Sequence, residues 1–140
     1  MPYPDLLVAP MREDLVKLGF RELRTAADVE GVLEGSDDPT LVVVNSVCGC
    51  AAGNMRPGVA LSLRHGTVPP VLTTVFAGQD VEATQKAREY FTGYPPSSPS
   101  IALLKDGELV WMMERHQIEG RGPEQIAQDL KAAYDEHAAA

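Results

Sequence analysis

The apolar positions of this chain change period several times. In "PMREDLVKLGF", Met11, Leu15 and Leu18 recur at helical spacing, and Gly19 supplies a stop. "RELRT" reads as a short strand. Thr25 then stands where an N-cap is needed for "AADVEGVLEG", with Asp28 at the capping-box position and Gly35 as the stop. "LVVVNS", Leu41–Ser46, is a short β-branched run without polar alternation, which predicts a central strand covered on both faces. Helical spacing returns in "AAGNMRPGVALSLRHG" across Met55, Val59 and Leu63, where Pro57 predicts a kink or a broken first turn.

The second half repeats the alternation. "PPVLTTVFAG", Pro69–Gly78, is β-rich, and Asp80 is placed to cap a helix over "VEATQKAREYF". "SIALLKDGELVWMM" predicts a hairpin, because Asp106-Gly107 is a turn pair that accepts positive φ between two apolar runs. "GPEQIAQDLKAAYDEH" opens with Pro123 at the first helical position and carries an apolar stripe of Ile126, Leu130, Ala133 and Tyr134. This order predicts an α/β domain with a parallel start and an antiparallel finish. No repeat is visible, and "YPPSSPS", Tyr94–Ser100, is too short to separate domains, so residues 1–140 read as one domain, with Ala138–Ala140 as a frayed end.

At 44% hydrophobic and 23% charged residues, the chain has apolar material for a core that needs neither metal nor disulfide. A net charge of −8 argues against a nucleic-acid partner, and the acidity reads as a solubility device. The longest apolar runs fall far short of the roughly 20 residues of a membrane span. "MPYPDLLVAPMRED" lacks a basic n-region and an apolar h-region, so the expected compartment is the cytoplasm. Thiols are kept reduced there, and two close cysteines read as redox-active or metal-binding before they read as a staple.

Those two are Cys48 and Cys50 in "VVVNSVCGCAAG", just past a buried strand and at the start of a helix. Unpaired amides and the dipole at a helix start favour a thiolate, the nucleophile of disulfide exchange. No Lys, Arg or His lies within five residues of Cys48, so local help is expected from backbone amides or Ser46. A disulfide between i and i+2 closes a ring of about 11 atoms, against about 14 for Cys-X-X-Cys. The required torsion makes the link bend sharply, and Gly49 has the φ freedom to permit it. The expected bond is strained and easily reduced. That suits an isomerase, or an enzyme that accepts a thiol adduct and passes it on.

Other readings of the two thiols are buried filler and a metal clip. A metal site needs about four ligands, and His65, His116 and His137 have no ligand-like spacing from the cysteines; they read as surface residues. "GRGPE" lacks the third glycine of a nucleotide loop and reads as a turn into a helix. Glu13, Asp14, Asp37 and Asp38 read as caps and solvated faces.

The order of elements resembles a thioredoxin-like domain, a central mixed β-sheet flanked by helices on both faces. That resemblance implies a cis-proline before the hairpin's first strand, and Pro99 occupies the place. "NSVCGCAAG", "RPG" at Arg56–Gly58, "VFAGQD", "YPPSSPS" and "RHQIEGRG" are together similar to the bacilliredoxin family, along nearly the whole chain. The resemblance implies a thiol–disulfide oxidoreductase that removes bacillithiol, a low-molecular-weight thiol, from mixed disulfides on cytosolic proteins. It implies Cys48 as nucleophile, Cys50 as resolving thiol and Gly49 as the residue that allows closure. Ser98 and Pro99 would form the substrate-facing loop. Bacillithiol would be a co-substrate, with no tightly bound cofactor and no metal, and a flavin-dependent bacillithiol disulfide reductase would recycle the enzyme. Disulfide isomerisation on scrambled proteins is the alternative activity, and a non-enzymatic metal-binding or redox-sensor module the alternative without catalysis.

Overall fold

The structure is a computed structural model and describes residues 3–34 and 37–138. The expected stop at Gly35 and the end of the expected frayed terminus, Ala139–Ala140, lie outside the described residues. The elements run α1 Asp5–Val16, β1 Arg21–Glu22, α2 Ala26–Leu33, β2 Thr40–Asn45, a π-helical turn Ala51–Met55 that leads into α3 Arg56–Ser62, and β3 Val71–Phe76. They continue with α4 Val81–Arg88, β4 Ser100–Lys105, β5 Glu108–Met113, α5 Arg115–Ile118 and α6 Pro123–His137. No helix among the described residues is long and apolar enough to cross a membrane.

The strands form one mixed sheet in the order β1-β3-β2-β4-β5. β3 runs parallel to β1 and β2, whereas β4 runs antiparallel to β2 and β5. β2 lies in the middle with all six residues buried, as its uninterrupted apolar run requires. Its side chains alternate between two layers. Leu41 and Val43 pack with Leu15, Met55, Val59, Ile126, Leu130 and Tyr134 of α1, the α3 region and α6. Val42 and Val44 pack with Val29, Val32, Leu33, Ala83 and Ala87 of α2 and α4. The sheet is therefore covered by helices on both faces, as expected from the order of elements.

The helix after β2 is broken where the sequence predicts it. Pro57 has no N–H and its ring crowds the carbonyl four residues back, so the preceding turn widens and the Arg56 N–H reaches the Ala51 carbonyl instead. Gly58 then admits α6: a Cβ there would lie 2.7 Å from the Ile126 side chain and 3.1 Å from the Pro123 carbonyl. In the hairpin, Asp106 and Gly107 take φ of 56° and 73°, as the β4–β5 turn demands.

Two expectations change. α1 begins at Asp5 and carries Pro10 in its interior, although the apolar pattern put its start at Pro10. The partner that Pro10 cannot bond is the Leu6 carbonyl, and Leu6 is 90% exposed, so water can satisfy it. Asp80 does precede α4, but its side chain makes no capping bond. Its carboxylate is taken by both terminal nitrogens of Arg12, at 2.7 and 2.9 Å. Thr25 caps α2 as expected, accepting the Asp28 N–H at 3.1 Å.

Candidate active site

β2 delivers the chain to one end of the sheet at Asn45, and the next residues are pinned from below. The Arg56 guanidinium, 6% exposed, donates to Asn45 Oδ1 at 2.8 Å, to the Ser46 carbonyl at 3.2 Å and to Asp14 Oδ2 at 3.1 Å. Asn45 Nδ2 donates to the Met11 carbonyl, and Asn45 Oδ1 also accepts the Ser46 N–H. Asp14 was expected on a solvated face; its side chain is half exposed and also serves as the carboxylate partner of this buried arginine. Ser46 Oγ accepts the Cys48 N–H at 3.1 Å, so its hydroxyl shapes the loop and does not reach the thiol.

On this platform the two sulfurs face each other at 2.7 Å, and both cysteines are free thiols. They can meet because only Cys50 is helical; Cys48 lies in the bend before the helix. The Cys50 thiol, hydrogen-bonded to the Cys48 sulfur, lowers the pKa of Cys48 against the opposing effect of burial. The Cys50 N–H, 3.4 Å from that sulfur, and the charge of Arg115 lower it further. Cys50 moves the other way. Burial first, then the hydrogen bond and charge of Cys48, push it up to about 11. The chemistry available is therefore asymmetric: Cys48 is the better thiolate, and Cys50 is a thiol donating to it.

Arg115 comes from the far side of the hairpin. Its Nη2 lies 3.3 Å from Cys48 Sγ and its Nη1 donates to the Ser98 carbonyl at 3.2 Å, while Glu119 takes its Nε. One guanidinium thus spans the cysteine loop and the loop before β4. The Ser98–Pro99 peptide bond is cis. Ser98 lines a shallow groove of about 480 Å³ with Tyr3, Ser46, Cys48, Arg88 and Arg115, whereas Pro99 is buried behind it.

A family model described as disulphide isomerase matches residues 3–138. A bacilliredoxin of Cytophaga hutchinsonii is 55% identical over 134 residues, covering 96% of this chain and 98% of that one. The chain belongs to the bacilliredoxin family. Bacilliredoxins of Koribacter versatilis and Halalkalibacterium halodurans are 52% and 51% identical, covering 99% and 98% of this chain and 95% and 97% of their own. Among solved structures, Malassezia sympodialis thioredoxin superposes with a TM-score of 0.56 at 15% identity, covering 86% of this chain and 91% of that one. Spinach chloroplast thioredoxin f gives 0.54 at 18%, covering 87% and 93%. The chain is thus a thiol–disulfide oxidoreductase on a thioredoxin-like fold.

Of the residues singled out in the sequence, the structure brings Cys48, Cys50 and Ser98 to one end of the sheet, with Pro99 behind them. Gly49 is exposed in the first helical turn, and a Cβ there would meet nothing within 4 Å, so the dithiol form does not call on its φ freedom. His116 is exposed, and His65 is half-buried with Nε2 2.8 Å from Asp135. Sequence reasoning missed Arg115, whose separation of 67 residues from Cys48 leaves no local trace. Its one signal was the "RHQIEGRG" stretch shared with the bacilliredoxin family.

Arg115 carries a prediction with a defined sign. It stabilises only the ionised Cys48, so Arg115→Gln raises the Cys48 pKa. The pH–rate profile of Cys48 alkylation by iodoacetamide is expected to move to higher pH, with slower modification on the acid side. Because Cys50 still donates, the midpoint stays below that of an ordinary thiol. An unmoved profile would show that the guanidinium does not act on the thiolate.

Proposed function

We propose that this enzyme removes bacillithiol from mixed disulfides on cytosolic proteins, with Cys48 as nucleophile and Cys50 as resolving thiol. The observation that carries the reading is the opposed pair: a thiol favoured as thiolate, in contact with one held protonated. The Cys48 thiolate attacks the bacillithiol sulfur; a new S–S bond forms as the old one breaks, and the electron pair leaves with the client protein's thiolate. The Ser98–Pro99 loop lies against the incoming disulfide. Cys48 is then uncharged, so one of the causes that hold Cys50 up is gone while Arg115 still favours its ionisation. Cys50 becomes the better thiolate only after the adduct has formed. Its attack on Cys48 Sγ expels bacillithiol and leaves a Cys48–Cys50 disulfide. The strain of that short ring makes the disulfide easy to reduce, and bacillithiol with a flavin-dependent bacillithiol disulfide reductase returns the dithiol. No tightly bound cofactor or metal takes part.

The test uses a bacillithiolated reporter protein and the Cys50→Ser variant. One turnover, with one bacillithiol mass trapped on Cys48, is the expected result. Continued turnover without an adduct, or an adduct on no residue, would overturn the order of events. The family description as disulphide isomerase favours a second reading, isomerisation of scrambled disulfides. Faster turnover on scrambled ribonuclease than on the bacillithiolated reporter would favour it over the first.

A further inference from the structure

The groove beside Cys48 holds a second arginine that the reaction above does not use. Arg88 ends α4, and its Nη2 donates to the Ser97 carbonyl at 3.3 Å. It is half-buried, and no carboxylate among the described residues pairs with it. Burial without a counter-charge is costly for a guanidinium, which stays protonated all the same. The groove wall offers it no acid: its described lining is Tyr3, Ser46, Val47, Cys48, Ala77, Gly78 and Ser98 with the two arginines. Arg88 and Arg115 grip neighbouring carbonyls, those of Ser97 and Ser98, from the two sides of the loop. In Arg115 the Nε and both terminal nitrogens already have partners, whereas Arg88 has donors to spare. A chain of net charge −8 repels small anions at long range, so an acidic small thiol needs local positive charge at its docking site.

We propose that Arg88, with Arg115 beside it, forms an anion subsite of the Cys48 groove that takes a carboxylate of the low-molecular-weight thiol in the mixed disulfide. The inference rests on the reading that Cys48 accepts a small-thiol adduct. The Arg88 fork receives the carboxylate through parallel N–H···O bonds. Its position in the groove then turns the small thiol's sulfur, and not the client's, toward Cys48. Gly78 leaves room on the same wall, where a Cβ would come within 3.3 Å of the Tyr3 ring.

The test compares two probes of nearly equal size: the disulfide of N-acetylcysteine, which is anionic, and that of N-acetylcysteine amide, which is neutral. Adduct formation on Cys48 is timed by mass spectrometry in the Cys50→Ser background. Each rate is divided by the rate of mercaptoethanol with the same probe, which removes intrinsic reactivity. The parental Arg88 protein is expected to favour the anionic probe by about tenfold. Arg88→Gln should bring that preference close to unity, and Arg88→Lys should keep part of it. If Arg88→Gln slows both probes alike, the residue only supports the Ser97 carbonyl and the proposal falls; an unchanged preference sinks it equally. Neither probe contains bacillithiol. Failure of the parental enzyme on a bacillithiolated protein would therefore count against the proposed substrate and leave this measurement standing.

Discussion

Replacing Cys48 by serine is expected to bring thiol–disulfide exchange down to the uncatalysed rate, a loss on the order of a thousandfold or more. The size follows from what the site does to this one sulfur. Exchange needs a thiolate, and the Cys50 thiol, the Cys50 and Ala51 amides and Arg115 all favour one at Cys48. A serine hydroxyl stays protonated in the same setting and is a poor nucleophile toward sulfur. Cys50 does not replace it, because burial, the largest of the causes that raise its thiol, remains, and an adduct formed on Cys50 has no second thiol to resolve it. Release of small thiol from a mixed disulfide, followed by mass spectrometry, measures the loss. A Cys48→Ser protein that works at the parental rate would mean that the nucleophile lies elsewhere.

Arg56→Met is expected to lower stability by about 3 kcal/mol, or roughly 10 °C in thermal midpoint for a domain of this size. The substitution preserves much of the volume and removes the charge. It leaves Asn45 Oδ1 and the Ser46 carbonyl without their buried donor. Asp14 contributes little to the loss, since its side chain is 45% exposed and water replaces the guanidinium there. The same change frees the segment that presents Cys48, so Cys48 alkylation at neutral pH should also slow. Thermal unfolding followed by circular dichroism gives the first number and iodoacetamide kinetics the second. A midpoint unchanged within about 2 °C would show that the buried guanidinium breaks even against methionine.

Local chemistry made much of this protein legible before its structure was known. The four residues Leu41–Val44 and the Asp106-Gly107 turn each obey rules that act over a few residues, and both are as the pattern predicts. Pro57 was legible as a break, although its form, a π-helical turn, depends on which carbonyl the Arg56 N–H can reach. The cysteines were found by their place after a strand, and the cis bond at Pro99 by family resemblance alone. What stayed hidden is charge that travels far along the chain. Asp80 looks like a cap until Arg12 is folded over it, and nothing local shows that Asp14 pairs with Arg56. Arg115 and Arg88 reach the Cys48 groove from the start of α5 and from the end of α4, and no spacing rule connects them.

The contact between Arg115 and Cys48 also bears on the order in which the chain is made. A ribosome releases residue 48 long before residue 115. Until the hairpin has closed, Cys48 lacks the positive charge of Arg115, which favours its ionisation. The nascent chain therefore carries a sulfur less inclined to ionise than that of the finished enzyme. Part of the sulfur's reactivity therefore waits for completion of the fold, and a chain cut short before the hairpin keeps only the help that lies near Cys48 in sequence.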